Sequence, residues 1–493
     1  MTRDSTAPPS VGAPPEPASA DIEKASQVVP EAGPVGERPD TSGFDPYHPT
    51  SGEPPEIDPA ELDPDALKVV FRLRQHGHQA YLVGGCVRDL LLGGRPKDFD
   101  IATSAHPGEV RAIFRNCRLI GRRFRLAHIY FKGGKIIEVS TFRANPTEVE
   151  EVQAELEGVD GGEQPNGAVG GEVEEDLLIT HDNVFGTAEQ DARRRDFTIN
   201  GLFYDPAAGK VIDYVRGVRD LRLRSIRTIG DAEVRMREDP VRILRAVRFS
   251  CKLGLDIESS TYAAMEGAVE DLLRCAPPRL LEETFRLIRG GASAPCIRLL
   301  AALDALKVLL SPIDEYLRRG PEEEATFFSH AAALDRRVAA GEAMDDGMLL
   351  AVLLLPISRA APEAPVEEGG RPSVAEAIEQ LLSELVRTAR LPRRIAERCR
   401  VILIAQRTLS GERRRRGPPG AFRRHPLFNE ALTVFEISVE ATGRFQEALA
   451  AWKAGAAPEP QPGAEGAGRR RRRRRRRRAG ARSAFPSNAG EDA

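Results

Sequence analysis

The sequence contains few cysteine and histidine residues, and their spacing is irregular. The six cysteines are Cys86, Cys117, Cys251, Cys275, Cys296 and Cys399. They form no Cys-x-x-Cys pair, and the eight histidines form no His-x-x-x-His pair. This spacing offers neither a common zinc site nor a disulfide framework, and scattered thiols are typical of a reducing cytoplasm.

Long apolar segments are also missing. The longest apolar run, Met348 to Ile357, is far too short to cross a bilayer. The start Met1-Thr2-Arg3-Asp4 lacks the apolar core of a secretory signal. We therefore predict a cytoplasmic protein without a membrane span. We further expect it to be a monomer.

The net charge is only −3, because two regions of opposite charge offset each other. Residues 1–65 hold fourteen acids and three bases, with many prolines and no apolar period. We predict a disordered acidic arm over 1–60. Residues 411–482 hold nineteen bases and seven acids, and ten of the bases form the run Arg469 to Arg478. We predict a disordered arginine-rich tail over 454–493.

The first folded part of the chain mixes short strands and helices. An apolar stripe predicts a helix over 61–76, and further helices are expected at 86–92 and 107–115. Strands are predicted at 79–83, 98–103, 117–121, 126–131 and 135–141. This order indicates an α+β fold, with a domain over 61–203 that has a mixed sheet and helices on one side. The acidic, glycine-rich residues 147–178 are predicted to be a poorly ordered insertion.

From Glu189 onward the apolar spacing is helical. Helices are predicted at 189–201, 233–253, 259–273, 278–290, 294–303, 327–340, 345–355, 372–389, 393–409 and 427–451. Amphipathic helices of this kind pack into a bundle or a curved array. We divide this all-α part into a domain over 204–290 and a body over 291–453.

One constellation in the first domain carries the chemistry. The run Tyr81-Leu82-Val83-Gly84-Gly85-Cys86-Val87-Arg88-Asp89 is followed by Asp98-Phe99-Asp100. The glycines let the backbone approach a phosphate closely, and the helix after them offers free N–H groups to it.

Asp98 and Asp100 occupy alternate positions of a predicted strand, so their side chains share one face. Two carboxylates this close repel each other unless a cation lies between them. Oxygen ligands suit Mg²⁺, which usually binds through one or two carboxylates plus substrate phosphates. The pair predicts a metal site for nucleotidyl transfer with two Mg²⁺ ions, for which Mn²⁺ could substitute.

The pattern Gly-Gly-x-x-Arg-Asp followed by Asp-x-Asp resembles the class II branch of the DNA polymerase β superfamily. That branch holds CCA-adding enzymes and bacterial poly(A) polymerases, and the resemblance covers about residues 78–290. It implies that an RNA 3′-hydroxyl attacks the α-phosphate of ATP and releases pyrophosphate, as in the polyadenylation that accompanies RNA decay. It also implies that Gly84, Gly85 and Arg88 hold the phosphates, that domain 204–290 recognises the nucleotide, and that the body binds RNA.

A basic stretch bears on the choice within this branch. Residues 119–129 read LIGRRFRLAHI. By spacing alone, this segment is a hairpin whose arginines, Arg122, Arg123 and Arg125, are solvated. The stretch resembles the one that distinguishes bacterial poly(A) polymerases from their CCA-adding relatives, which implies that these arginines contact RNA.

Two alternatives to a poly(A) polymerase stay open. A CCA-adding tRNA nucleotidyltransferase shares every catalytic motif, and only the Gly121–His128 stretch and the arginine-rich tail argue against it. A catalytically idle RNA-binding adaptor could keep the same fold. The intact Asp98 and Asp100 argue against that second alternative.

The third acid of the site has two candidates. Glu138 lies on a predicted strand of alternating character, and Glu189 follows Phe185-Gly186-Thr187-Ala188. The resemblance places the third acid at Glu189. Spacing alone does not choose between the two, and we weight Glu189.

Two further motifs match the class II pattern. Arg193-Arg194-Arg195-Asp196-Phe197-Thr198-Ile199-Asn200 could be a plain amphipathic helix with solvated arginines. The resemblance instead assigns Arg194 and Asp196 to the nucleotide, and arginine gives forked bonds to phosphate oxygens.

The second of these motifs begins at Arg237. Helical spacing puts Asp239 and Arg242 on neighbouring turns, with Arg245 one turn further. The structural interpretation is a helix start capped by Asp239, with an ion pair between Asp239 and Arg242. The resemblance implies that Asp239 and Arg242 read the edge of the incoming base, and cytosine would fit them as well as adenine.

The expected partners are ATP and an RNA 3′ end. The run from Arg469 to Arg478 offers sequence-independent, salt-sensitive contacts to RNA phosphates. The alternative for this run is a solvated low-complexity tail.

Overall fold

The structure, a computed structural model, describes residues 56–121, 125–144, 184–360, 374–412 and 422–456. Its first seven strands are β1 (Ala80–Val83), β2 (Asp100–Thr103), β3 (Cys117–Ile120), β4 (Leu126–Tyr130), β5 (Ile136–Thr141), β6 (Leu202–Asp205) and β7 (Lys210–Asp213). They form one sheet in the order β3-β4-β5-β2-β1-β6-β7. Strands β2 and β5 run parallel, and the other neighbours are antiparallel.

The helices of this part are α1 (Pro64–Gln75), α2 (Gly85–Leu91), α3 (Pro107–Ile113), α4 (Ala188–Arg193) and α5 (Gly217–Arg222). The first helix shows why the local sequence is helical. The Asp63 carboxylate accepts the first free N–H groups of α1, and Pro64 takes the first position, where its missing N–H costs nothing. Val69, Val70 and Leu73 form the buried stripe that packs α1 on the sheet.

The two faces of the sheet are covered differently. Because side chains alternate along a strand, Ile101 and Ala102 point to opposite faces. Ile101 belongs to the main core, which continues into the helical body. Ala102 belongs to a small second core with Val83 and Phe203. Asp100 shares the face of Ala102, so the predicted metal ligand lies beside this second core.

Helix α4 lies on the other face of the sheet, so the prediction that all helices of this domain lie on one side is wrong. Its Ala188 and Ala192 pack into the second core, whereas α1, α2 and α3 contact the strands from the main core.

The remaining helices are α6 (Ala232–Glu238), α7 (Val241–Leu253), α8 (Ser259–Gly267), α9 (Pro277–Ile288), α10 (Ser293–Ala302), α11 (Ala305–Leu309), α12 (Ser311–Leu317), α13 (Pro321–Ala339), α14 (Asp346–Arg359), α15 (Val374–Thr388), α16 (Arg393–Leu409), α17 (Phe428–Thr442) and α18 (Gln446–Lys453). Two short strands, β8 (Ser225–Ile226) and β9 (Asp256–Ile257), pair in parallel. Within the described ranges, no helix is long and apolar enough to cross a membrane.

The predicted fold class is confirmed, because a mixed sheet precedes a mostly helical body. The hairpin of β6 and β7 was not predicted. It extends the sheet to Asp213, so the domain boundary expected at residue 203 falls inside β6. The helix predicted over 189–201 ends at Arg193, and the chain then runs through a short 3₁₀ turn, Thr198–Asn200, into β6. Leu202, Phe203 and Tyr204 are all buried, and a short continuous apolar run has no period that separates strand from helix.

The acidic arm predicted over 1–60 is ordered at its end. Ile57 is buried in the main core, and Pro59–Glu61 form a 3₁₀ turn whose first N–H groups are capped by the Asp58 carboxylate. A single apolar residue among acids carries no period, so the sequence pattern did not place it. Residues 1–55, the insertion predicted over 147–178 and residues 457–493 of the tail lie outside the described residues.

Two long predicted helices are divided. The helix expected over 233–253 breaks at Asp239-Pro240 into α6 and α7, because proline has no N–H for the preceding turn. The helix expected over 427–451 breaks at Gly443, whose φ of +66° ends α17.

Candidate active site

The turn from β1 into α2 depends on glycine at position 84. Gly84 has a φ of +74°, which residues with a Cβ rarely adopt. A Cβ at this position would lie 2.8 Å from Nη1 of Arg195. Gly85 begins α2, and the first N–H groups of a helix have no partner within it. The predicted phosphate cradle is therefore a glycine turn with an arginine beside it.

Asp98 and Asp100 lie at the entrance to β2. Both are exposed, and Phe99 between them is buried in the main core. The strand begins only at Asp100, so the prediction that both acids lie on the strand is wrong for Asp98. Asp98 and Asp100 still share one face, because Phe99 between them points into the main core and both carboxylates point away from it.

The pKa of Asp100 is raised from 3.8 to about 6. Loss of solvation is the largest cause, followed by the negative charge of Glu138, and the positive charge of Arg195 acts in the opposite direction. Asp98 adds a smaller repulsion. Because Asp100 keeps an exposed surface, solvent weakens the desolvation part of this shift, and the repulsion by the neighbouring acids is the firmer part.

Glu138 stands beside Asp100 in the sheet. The parallel pairing of Ile101 with Val139 puts Asp100 and Glu138 next to each other on one face. The antiparallel pairing on the other side matches Glu138 with His128, and Nε2 of His128 lies 3.4 Å from Oε2 of Glu138. Three adjacent strands therefore present Asp100, Glu138 and His128 in one row.

Glu189, the third acid favoured by the sequence, is placed differently. It lies in the first turn of α4, where its Oε1 accepts a hydrogen bond from Nη2 of Arg193 at 2.5 Å. The charge of Glu138 raises the pKa of Asp100, and that of Glu189 is not among the charges that shift it. Glu138 therefore stands beside Asp100 in the sheet, and the choice between Glu138 and Glu189 as the third acid stays a prediction.

Arg195 is the arginine near the aspartates, and the sequence prediction passed over it. Its Nε and Nη2 donate to Oδ2 of Asp191 at 3.3 and 3.0 Å, and its Nη1 donates to the carbonyl of Asn200 at 3.3 Å. Its charge opposes the raised pKa of Asp100. The run Arg193-Arg194-Arg195 was the only signal in the sequence, and it does not say which of the three arginines faces the site.

Arg88 is held within the fold, and its predicted contact with the phosphates stays a prediction. It is buried, its Nη1 donates to Oδ1 of Asn200 at 2.6 Å, and its Nη2 donates to Oδ1 of Asp89 at 2.7 Å. Its guanidinium also lies 5.0 Å from the ring centre of Phe249 in α7. These contacts give Arg88 a positioning role, because they join α2 to α7 and to the approach of β6.

Asp191 and Arg235 hold the arginine-rich motif in place. The buried Asp191 accepts from Nε of Arg194 at 3.0 Å as well as from Arg195. Burial raises the pKa of Asp191, but the two arginines outweigh burial and keep this pKa below its usual range. Nη2 of Arg235 donates to the carbonyls of Arg194 and Arg195 at 2.6 and 2.7 Å. The nucleotide contact of Arg194 stays a prediction.

Asp196 and Arg245 bind each other. Oδ2 of Asp196 accepts from Nε of Arg245 at 2.7 Å, and its other oxygen accepts from the Phe197 N–H and from Nδ2 of Asn200. Burial opposes ionisation of Asp196, yet the Arg245 charge and these hydrogen bonds hold its pKa well below the usual range. This ion pair joins the arginine-rich motif to α7 and so fixes the position of the motif relative to that helix. The nucleotide contacts predicted for Asp196 and Arg245 stay predictions.

Asp239 and Arg242, the two residues predicted to read the base, bind different partners in the structure. Nη2 of Arg279 in α9 donates to Oδ2 of Asp239 at 2.5 Å. Nη1 of Arg242 donates to Oε2 of Glu238 at 3.1 Å and to the carbonyl of Arg235. The predicted ion pair between Asp239 and Arg242 is absent, and Asp239 does not cap α7, because its carboxylate turns toward α9. The pair still lies at the break between α6 and α7.

The predicted RNA contacts are mostly outside the described residues. This holds for Arg122, Arg123, Arg469 and Arg478. Arg125 is described and exposed at the start of β4.

The donor set fits a divalent cation that is completed by its substrate. Among the described residues, no three Asp, Glu, His or Cys side chains form a metal site by themselves. Asp98 and Asp100 still supply two exposed carboxylates, and Mg²⁺ commonly takes one or two carboxylates plus substrate phosphates. A cation here would relieve the repulsion that raises the pKa of Asp100.

Comparisons with known proteins agree with this geometry. A family model described as "Poly A polymerase head domain" matches residues 80–227, which include the whole sheet from β1 to β7. A second model, described as "Probable RNA and SrmB- binding site of polymerase A", matches residues 254–317.

Curated relatives extend the match beyond these segments. The chain is 37% identical to poly(A) polymerase I of Escherichia coli over 401 residues, which covers 80% of this chain and 82% of that one. It is 33% identical to a CCA-adding enzyme of Lactobacillus delbrueckii over 287 residues, which covers 56% of this chain and 64% of that one.

Solved structures give the same result for the fold. The CCA-adding enzyme of Bacillus stearothermophilus in complex with CTP is 28% identical, has a TM-score of 0.56, and is matched over 80% of this chain and 83% of that one. The chain therefore belongs to the bacterial poly(A) polymerase family, which shares its fold with the CCA-adding enzymes.

Proposed function

We propose that the protein is a template-independent RNA nucleotidyltransferase that adds AMP from ATP to RNA 3′ ends and releases pyrophosphate. One observation carries this proposal above the others. The row of Asp100 and Glu138 lies on the face of the sheet that carries the second core, near Arg195 and the glycine turn, in a chain whose poly(A) polymerase relative matches four-fifths of it. RNA made in this way would carry the adenylate tails that accompany RNA decay.

Each group of residues in the site has a role that follows from its chemistry. Gly84 and Gly85 let the triphosphate approach the start of α2, and Arg195 supplies a forked cation next to it. Asp98 and Asp100 would hold two Mg²⁺ ions, or Mn²⁺, which polarise the phosphate and neutralise charge when bound. Glu138 lies beside Asp100 as the third acid, held by His128. Asp196 and Arg245 position the arginine-rich motif.

Base choice is assigned to Asp239 and Arg242. Asp239 can accept from the N6 amine of adenine, and Arg242 can donate to N1. Glu238 and the carbonyl of Arg235 fix the Arg242 guanidinium, so it is oriented before the nucleotide arrives. Arg279 holds the Asp239 carboxylate in the same way.

A CCA-adding tRNA nucleotidyltransferase is the second candidate. The match to the Lactobacillus delbrueckii enzyme and the ability of Asp239 and Arg242 to pair with cytosine favour it. The greater extent of the match to poly(A) polymerase I favours the first candidate. A monomeric cytoplasmic enzyme stays the prediction from the sequence.

The test is an incorporation assay on the purified full-length protein. RNA is incubated with α-labelled ATP and Mg²⁺, and both extended RNA and released pyrophosphate are measured. We expect extension by the parent protein and none by Asp98→Asn or Asp100→Asn, while both variants still bind RNA. Absence of extension by the parent at any divalent metal tested, or extension by the doubly substituted protein, would contradict the proposal.

A further inference from the structure

Four arginines meet at the turn between α15 and α16. Arg387 ends α15, Arg390 lies in the turn, and Arg393 and Arg394 begin α16. All four are exposed. None of their side chains makes a hydrogen bond or ion pair within the part of the chain that the structure describes. The turn therefore concentrates positive charge that the fold does not neutralise.

The acids at helical spacing from these arginines are engaged elsewhere. Glu384 precedes Arg387 by one turn, but its Oε1 accepts from Oγ of Ser311 at 3.0 Å. Glu397 follows Arg394 by one turn, but it binds Arg400 through both oxygens at 2.6 and 2.7 Å. The nearest carboxylates that could pair with the turn are thus held away from it.

Several other exposed bases of the helical part are paired. Arg289, Arg318, Arg336 and Lys453 each have a nitrogen within 3.0 Å of a carboxylate oxygen. The four arginines of the turn differ from these bases in their lack of partners, although their exposure is similar.

The backbone of the turn is costly for arginine. Arg390 has a φ of +54°, a left-handed conformation in which a helix end usually has glycine. The buried Leu391 and its N–H bond to the carbonyl of Leu385 hold the turn in this shape. Arg393 and Arg394 also stand at the positive end of α16, where cations are unfavourable. Three of the four positions therefore work against an arginine that has no ligand.

From these observations we infer that the turn formed by Arg387, Arg390, Arg393 and Arg394 binds the phosphate backbone of the RNA substrate at a distance from its 3′ end. The inference rests on the proposed function, because that activity supplies the RNA. No large apolar side chain is exposed at the turn, whereas the core of a protein interface is usually apolar. Unpaired arginine forks without aromatic residues give phosphate contacts that do not depend on sequence.

The test compares RNA binding by the full-length protein and two variants at several salt concentrations. The turn variant carries Arg387→Gln, Arg390→Gly, Arg393→Gln and Arg394→Gln. The control variant carries Arg289→Gln, Arg318→Gln, Arg336→Gln and Lys453→Gln, which removes the same charge from paired positions. If all four arginines contact phosphates, the slope of log affinity against log salt becomes less steep, by roughly 2 to 3, for the turn variant on long single-stranded RNA. The control should keep the parent slope.

Two further measurements separate the explanations. Arg390→Gly alone should weaken RNA binding while the melting temperature stays equal or rises, because glycine adopts this φ freely. AMP transfer to a short primer should be unchanged in the turn variant, which keeps every residue of the active site.

Equal slopes for parent and turn variant would overturn the inference, and the turn would then fit an acidic protein surface instead. Equal losses in the turn and control variants would also overturn it, because net charge would then explain the effect. Failure of the parent to transfer AMP would contradict the proposed function, and the binding comparison would still decide the role of the turn.

Discussion

At the residue scale, the site is built from charges that the fold alone does not balance. Asp100 and Glu138 stand side by side, and Asp98 adds further negative charge. Arg195 balances only part of it. This arrangement costs stability in the free protein and favours a cation when substrate binds.

The first prediction concerns the stability of the metal-free protein. Because the pKa of Asp100 is raised from 3.8 to about 6, its contribution to stability is fully present below 3.8 and is lost as the pH rises through 6. The Asp100→Asn variant has no carboxyl group to ionise at this position, so it does not lose stability as the pH rises through 6. The free energy of unfolding should therefore be higher in the variant above pH 6, by about 1 kcal/mol after screening by solvent, and should equal that of the parent near pH 3.8.

Chemical denaturation in the presence of a chelator measures this difference. Asp205 is the control with the opposite sign, because burial raises its pKa but the hydrogen bond from Arg74 and other contacts outweigh burial and lower it. Asp205→Asn should destabilise the protein at neutral pH, and the difference should vanish as the pH falls below the usual aspartate range. A stability gain for Asp100→Asn that does not depend on pH would contradict the charge argument.

The second prediction distinguishes the two candidates for the third acid. Glu138→Gln keeps the shape of the side chain and removes the charge beside Asp100, so we expect kcat for AMP transfer to fall by on the order of 10² to 10³. Glu189→Gln removes the ion pair with Arg193 at the surface of α4, and the expected change is within about tenfold. Steady-state kinetics on both variants give the answer, and a larger loss in Glu189→Gln would restore the assignment made from the sequence.

The identity of the acids could be predicted at this scale, but their partners could not. The Asp-x-Asp spacing predicts that Asp98 and Asp100 share one face, and the burial of Phe99 between them agrees with this although only Asp100 lies on β2; their role as metal ligands stays a prediction. The partner of Asp239 is Arg279, forty residues further along the chain. Only the packing of α9 against α7 brings them together, and no local pattern records that packing.

At the scale of elements, the β1–α2 turn and the hairpin of β6 and β7 position the site. The Gly84 N–H donates to the carbonyl of Leu202 at 2.9 Å, so the turn is fixed to the start of β6. Arg195 and Asn200 approach the turn from the chain that leads into β6. The glycine turn was predictable from its two glycines, but β6 was not, because its residues are buried on both faces and show no alternation.

The third prediction tests this turn. Gly84→Ala and Gly93→Ala both place a Cβ at a positive φ, +74° and +73°, so each should cost at least about 1 kcal/mol of stability. Gly84 also has a ψ of −124°, outside the left-handed helical region, so its variant should be the less stable of the two. A Cβ at Gly93 meets nothing within 4 Å, whereas a Cβ at Gly84 meets Nη1 of Arg195 at 2.8 Å. The flexible guanidinium of Arg195 can move, so its displacement should cost activity in addition to the stability lost through the backbone.

Thermal melts and AMP transfer should therefore separate the two glycine variants. Gly84→Ala should melt at the lower temperature, and, at a temperature where both variants are folded, only Gly84→Ala should lose ATP affinity and rate. Equal activity in the two variants would show that the position of Arg195 does not matter for the reaction.

At the scale of the whole molecule, a sheet domain carries the acids and a helical body extends from it through a shared core. The order of these parts was predictable from the change in apolar period after Glu189. The boundary between them was not, because β6 and β7 return to the sheet after a helical segment. The ordered Ile57 was missed for a related reason, since one buried residue leaves no period in the sequence.

We propose that this member of the family adds adenylate rather than a CCA end, and that its substrate need not be a tRNA. The most direct measurement offers the full-length protein a tRNA without its CCA end and an unrelated RNA, each with equal ATP and CTP and with Mg²⁺, and then sequences the product 3′ ends. The account predicts runs of adenylate on both RNAs. Addition of CCA to the tRNA alone, with the unrelated RNA left unextended, would contradict it.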